Sequence, residues 1–156
     1  ALDSSTIRRR FPFELWLILV SALCLAQAFV NSGLAEWIST NLFQMLNGYS
    51  AYTALIVVFI TTLLLTEIIT NTAAAAIVLP VGIALAKAFG VDSSPFIMAV
   101  AYAASASFLT PYGYQTNLMV MNAGGYQVKD FIRVGWRVSL AYTSVALVTI
   151  PLVFPF

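Results

Sequence analysis

Thr66-Glu67-Ile68-Ile69-Thr70-Asn71-Thr72-Ala73, followed by Ala74-Ala75-Ala76 and then Pro80, is the stretch on which the reading of this chain turns. It places a carboxylate, an amide and three hydroxyls in the middle of an apolar run. An unsatisfied polar group in hydrocarbon costs roughly several kcal/mol, so such a cluster is expected to be buried against protein or to line a cavity. The expectation is a hairpin of two helices whose tip, at Thr70-Asn71-Thr72, binds a ligand.

The arms on either side, Ala51 to Thr66 and Ala73 to Ala86, are apolar, and the second ends at Lys87. They are expected to form a re-entrant hairpin over residues 51–89. Charge does not separate that arrangement from two full spans, because both put every loop on the same side of the membrane.

Composition sets the environment. Of 156 residues, 61% are hydrophobic and 8% charged, against about 25% charged in a soluble domain. The chain is therefore read as an all-α integral membrane protein. A net charge of +1 gives no support to a nucleic-acid partner. A lone cysteine, Cys24, excludes an internal disulfide framework, and the absence of histidine removes the commonest metal ligand and general base. Neither an enzyme nor an organic cofactor is expected.

Working outward, Arg8-Arg9-Arg10 precedes an apolar stretch that further apolar segments follow, so that stretch is a transmembrane helix with a basic flank rather than a signal peptide. Phe11, Phe13 and Trp16 extend the uncharged run Leu15 to Val30, which gives a helix over 11–31 ending at Asn31-Ser32-Gly33. Over 36–47 the apolar residues Ile38, Leu42, Met45 and Leu46 share one face, with Ser39, Thr40, Asn41, Gln44 and Asn47 opposite. That pattern predicts a helix lying in the membrane interface. The chain begins at Ala1 without an initiator Met, so it is expected to be a processed product or part of a longer polypeptide.

Past the hairpin, Gly90 to Pro95 reads as a turn, with Ser93 or Ser94 as N-cap and Pro95 at the first helical position. No residue from Ser93 to Val128 is charged, too long a stretch for one ordinary span. Small residues dominate its first half, as where helices pack closely. Thr110-Pro111-Tyr112-Gly113-Tyr114-Gln115-Thr116-Asn117 then interrupts it, because proline removes a backbone donor and glycine adds freedom. This predicts a discontinuous transmembrane helix over 94–124. After a turn at 122–126, residues 128–136 read as a short amphipathic connection. A last transmembrane helix falls within 134–155, its apolar span running from Val138 to Phe154.

Arg8, Arg9, Arg10, Lys129, Arg133 and Arg137 fall on one side and Lys87 on the other. The positive-inside rule then puts the N-terminus in the cytoplasm, the 87–94 turn outside and the C-terminus outside. Trp37, Tyr49, Tyr52, Tyr126 and Trp136, near segment ends, read as an interfacial aromatic belt. Met119 and Met121 read as lipid or packing contacts.

At the tip, neutral amide and hydroxyl donors, with free N–H groups at the start of the second arm, suit an anion. Carbonyl oxygens freed at the same interruption suit a bare cation such as Na⁺. The alternative is that Thr70, Asn71 and Thr72 only hydrogen-bond across helices as packing glue. A second interruption with its own Thr116-Asn117 pair favours binding. Glu67 is either a proton relay, a carboxylate that orients the tip, or a structural acid capping nearby N–H groups; no neighbouring His or Lys offers a relay partner.

The motif Thr66-Glu67-Ile68-Ile69-Thr70-Asn71-Thr72-Ala73, with Pro80 downstream, resembles the Thr-Glu-x-x-Ser-Asn-Thr-Ala hairpin of the divalent anion/sodium symporter family. Thr110-Pro111 resembles the Thr-Pro of that family's broken helix. The segment order over about residues 11–156 matches most of the family's second inverted repeat. The resemblance implies a sodium-coupled secondary transporter working by an elevator-like movement, usually as a homodimer, with the first repeat supplying a second hairpin. Carried over, Thr70, Asn71, Thr72, Thr110 and Pro111 would contact an anionic substrate. Thr66, Ile69, Asn71 and Leu109 would hold sodium, mostly through backbone oxygens. Thr70 stands where the motif has Ser, and the break is longer than the Thr-Pro-Pro-Asn of the dicarboxylate carriers. Its Tyr-Gly-Tyr-Gln-Thr-Asn, with Gly124-Gly125-Tyr126 and Asp130 to Gly135, is more like the branch with cytosolic regulatory domains, some of which carry sulfate. The substrate is left open between sulfate and small dicarboxylates. Only one hairpin motif occurs in 1–156.

Overall fold

The computed structural model describes residues 13–156. Arg8-Arg9-Arg10 and Phe11, which enter the orientation and the first helix, lie outside them. Among the described residues the fold is helical throughout, with no strand.

Helix α1 (Phe13–Asn31) stops at Gly33, whose φ of 74° is a left-handed conformation that L side chains resist. Helix α2 (Leu34–Met45) leaves it at an angle of 63°. The hairpin follows: α3 (Ala51–Thr66) and α4 (Asn71–Phe89). The Ser50 hydroxyl accepts from the Thr53 N–H to start α3, and the Thr70 hydroxyl accepts from the Ala73 N–H to start α4. Gly90, at φ 68°, ends α4. Helix α5 (Ser94–Ala104) begins where Asp92 Oδ1 accepts from the Ser94 N–H at 2.7 Å, so Asp92 rather than a serine supplies the side-chain cap. The chain leaves helix from Ser105 to Tyr114 and resumes as α6 (Gln115–Gly124).

Helix α7 (Val128–Val153) differs from expectation. The amphipathic piece 128–136 and the apolar span after it are one continuous helix. A reciprocal capping box between Gln127 and Asp130 starts it, and the polar first turns simply expose their charged face. Pro151 near its end cannot donate to Leu147, and the carbonyl left over there accepts from the Tyr52 hydroxyl at 3.2 Å. The hairpin tip is also tighter than expected. Helix α4 already begins at Asn71, so the turn itself is Glu67 to Thr70, and Asn71 and Thr72 belong to the first helical turn.

Phe59, Leu55 and Val58 of α3, Leu85 of α4, Phe96 and Val100 of α5 and Ile150 of α7 are fully buried together. This core holds the hairpin against α5 and α7. Helices α4 and α7 are each long and apolar enough to cross a membrane, while α3 and α5 are apolar but shorter, at 16 and 11 residues. Helix α6 buries none of its residues.

Candidate functional site

Burial of α3 against α5 brings the two sequence interruptions together. Thr66, the last residue of α3, is buried, and its hydroxyl donates to the Ala104 carbonyl, the last of α5, at 2.7 Å. The Asn71 carboxamide takes the orientation in which its nitrogen donates to Thr66 Oγ1 at 2.7 Å, to Ala104 O at 3.1 Å and to Gly113 O at 2.9 Å. One side chain at the start of α4 thus reaches the ends of α3 and α5 and the loop two residues before α6. Helix C-termini present carbonyls and helix N-termini present N–H groups, with partial charges of about −0.5 and +0.5 respectively. Four such ends, two of each sign, are gathered around Asn71.

Glu67 makes a second bridge. The residue is buried, at 6% exposed. Oε1 accepts from the Phe108 and Leu109 N–H groups, both at 2.9 Å, and Oε2 accepts from the Thr110 N–H at 2.7 Å. The Thr110 hydroxyl donates in return to the Glu67 backbone carbonyl. Three successive N–H groups converging on one anion form a nest. Of the roles open to Glu67 from sequence, the hydrogen bonds are those of a carboxylate capping nearby N–H groups.

The candidate residues fall into two groups. Thr66 and Asn71 meet at the junction, Leu109 and Thr110 bond to Glu67 next to Thr66 in the chain, and Pro111 is buried in the break. Both donors of Thr110 are engaged by Glu67, which leaves its hydroxyl lone pairs for any ligand. Thr70 and Thr72 face the other way, toward a groove of about 560 Å³ between α1 and α4 that Ser21, Ala22 and Ala26 also line. Ile69, half-buried, lies in the tip itself, where its N–H donates to the Leu65 carbonyl at 2.9 Å. Thr116 is exposed on α6, while the Asn117 amide donates to the Ser107 carbonyl at 3.1 Å.

Sequence reasoning passed over Ala104, Ser107, Phe108 and Gly135. A Cβ on Gly113 would overlap the Thr66 carbonyl and the Ser107 side chain, and one on Gly135 would overlap the Phe108 carbonyl. Neither glycine has a positive φ. Both are glycine for space, so that backbone can approach backbone. Ser107 Oγ is buried at this contact without a hydrogen-bond partner.

Apolar helices whose polar ends collect around the half-buried Asn71 and the buried Thr66 and Glu67 mark an integral membrane protein. The chain belongs to the citrate transporter family, whose model matches residues 1–156. It is 33% identical over 142 residues to an uncharacterized transporter of Synechocystis sp., covering 91% of this chain and 23% of that protein. It is 32% identical over 135 residues to sodium/sulfate cotransporter 1 of Chlamydomonas reinhardtii, covering 86% of this chain and 15% of the relative. With the sodium-dependent dicarboxylate transporter SdcS of Staphylococcus saprophyticus it shares 29% identity over 149 residues, 96% of this chain and 28% of the relative. These relatives accord with the resemblance to divalent anion/sodium symporters. The chain spans between about a seventh and somewhat over a quarter of their length.

Proposed function

We propose that this chain supplies one half of the binding site of a sodium-coupled symporter for a divalent anion, sulfate or a small dicarboxylate. The observation that carries the reading is the Asn71 carboxamide, which ties four helix ends into one junction. The N-termini of α4 and α6 offer N–H groups and positive dipole ends to an anion, with Asn71, Thr110 and Pro111 as its neighbours on the junction side of the tip and Thr70 and Thr72 as its neighbours on the side of the α1–α4 groove. The C-termini of α3 and α5 offer carbonyl oxygens to sodium, with Thr66, Ile69, Asn71 and Leu109 as its ligands. The length of α3, roughly 24 Å at 1.5 Å per residue, falls short of a bilayer core and supports a re-entrant hairpin, in which α4, though long enough to cross, returns to the side from which α3 entered. The break between α5 and α6 is then the interruption of one membrane helix. The complement of the site comes from a first repeat, the working unit is a homodimer, and the movement is elevator-like. The N-terminus lies in the cytoplasm and the C-terminus outside.

The test is uptake by the full-length protein in proteoliposomes, with sulfate, succinate and citrate in competition, with and without a sodium gradient. Sodium-dependent uptake of one of them is expected; uptake indifferent to sodium removes the coupling.

A second reading, in which these polar side chains only pack helices, is favoured at Asn71 by its complete set of protein acceptors. Thr70 and Thr72 speak against it, since they line an open groove. Labelling of Thr70→Cys by a water-soluble thiol reagent separates the two. A proton-coupled carrier using Glu67 requires uptake that changes with pH and with Glu67→Gln.

A further inference from the structure

Glu67 is a buried carboxylate that the proposed binding chemistry does not use. It belongs to the hairpin turn, yet both its oxygens are spent on the break, 41 to 43 residues further along the chain. A turn that only needed capping would satisfy an acid with its own N–H groups. An acid present for packing alone would be replaced without loss by an apolar residue of similar size, since burying a charge is costly. Here the charge is compensated by three consecutive backbone donors, and the Thr110 hydroxyl returns a bond to the Glu67 carbonyl. The contact is therefore two-way: side chain to backbone in one direction, and side chain to backbone in the other.

These N–H groups are also where an anion from solution would bind were Glu67 absent, because a nest of successive N–H groups is an anion receptor. Glu67 fills it with an anion that belongs to the protein. The break is thereby held in one conformation without a ligand, and an external anion is left with the helix N-termini of α4 and α6.

We propose that Glu67 is a positioning residue: its carboxylate clamps the 108–110 segment to the hairpin tip, so that tip and break keep one mutual geometry whether or not substrate is bound. The inference rests on the transport reading for its kinetic consequence, but the clamp itself is measurable without transport.

The experiment uses the full-length protein in proteoliposomes, free of other cysteines (Cys24→Ser in this segment), with spin labels at Ile68→Cys on the tip and Tyr112→Cys on the break. Both positions are exposed, at 74% and 53%. Electron–electron distance measurement is expected to give a narrow distribution in the parent and a broad one in Glu67→Gln, which keeps the size but turns an acceptor into a donor facing N–H groups. In the same variant without labels, the KM for the anion and the half-saturating sodium concentration rise about tenfold, while Vmax per folded protein stays within about twofold, as expected for one lost charge-assisted contact. Glu67→Asp, with the charge kept on a shorter arm, restores part of both. A merely structural acid would lower the yield of folded protein and leave KM and the distance distribution unchanged, and that result overturns the proposal. Should Glu67→Gln not fold, Thr110→Val, which drops only the return bond, is expected to broaden the distribution by a smaller amount. Failure of both variants to fold makes the pair a folding determinant and equally overturns a positioning role. If the parent shows no uptake, the transport reading fails and the distance measurement still decides the clamp.

Discussion

Gly113 and Thr66 lie backbone against backbone: the space where a β-carbon of Gly113 would sit is filled by the Thr66 carbonyl oxygen and by the side chain of Ser107. The end of α3 therefore rests directly on the break before α6, with no side chain between them. Gly113→Ala is expected to destabilise the protein by about 1–3 kcal/mol through overpacking. Ser107→Ala in the same chain should relieve only part of the loss, since the carbonyl remains. Thermal unfolding in detergent checks this, and a single variant as stable as the parent would contradict so close an approach.

Gly135 gives a test in which two effects oppose each other. Mid-helix Gly→Ala is worth about 0.5–1 kcal/mol in favour of α7 on propensity alone. Overlap with the Phe108 carbonyl works against it and, at about 1–3 kcal/mol, should win. The expected outcome is a lower melting temperature for Gly135→Ala, with uptake reduced because Phe108 lies in the break. A rise in melting temperature would mean that α7 and the break are not in contact.

Thr70 caps α4 through its hydroxyl, which accepts from the Ala73 N–H at 3.3 Å. Thr70→Ser keeps that acceptor and is expected to leave stability unchanged. Thr70→Ala removes it, at about 1 kcal/mol. Equal melting temperatures for the two variants would show that the cap is not made.

Asn71 acts as a donor to Ala104 O and Gly113 O. Asn71→Asp would bring a carboxylate toward carbonyl oxygens, a repulsion as well as a lost bond. Asn71→Ala leaves the acceptors merely unpaired, at about 1–3 kcal/mol. Asp is therefore expected to be the more damaging replacement, in chemical denaturation and in uptake, despite its closer shape. The reverse order would argue for a carboxamide oxygen pointing into the junction.

Asp92, in the turn before α5, has its carboxyl held below the ordinary carboxylate range by hydrogen bonds from the Ser94 side chain and then its backbone. A carboxylate with a depressed folded pKa contributes stability above its unfolded pKa and loses it as pH falls through the folded value. The melting temperature of Asp92→Ala should thus lie below that of the parent near neutral pH. The gap should begin to close as pH drops below about 3.9, the unperturbed Asp value, and vanish only once pH is below the lowered pKa of the folded state. A gap that persists into strong acid would assign the difference to packing.

The helical class and the order of the segments were legible because apolar stretches and their interruptions are local properties of the chain. Asn71, Thr66 and Glu67 drew notice because polar groups in an apolar run need partners. Their partners did not, because Ala104 and Phe108 contribute through backbone atoms, which every residue possesses. Gly113 was read as a source of freedom, whereas it is required for space; without the fold there is no telling which carbonyl comes near. The start of α7 was misjudged for a related reason. A change from amphipathic to apolar composition at residue 137 marks a change of surroundings, and the backbone passes through it as one helix.

The bonds from Glu67 to Phe108, Leu109 and Thr110 have a consequence for how the chain can vary in length. The carboxylate has a fixed reach, so the number of residues between the end of α5 at Ala104 and Thr110 is measured by that side chain rather than set by the slack of a loop. A single deletion there would draw the donors out of register, and an insertion would leave one of them unmatched. The five residues from Ser105 to Leu109 are therefore a spacer of defined length, and homologous loops grafted into this position should function only when they preserve that count.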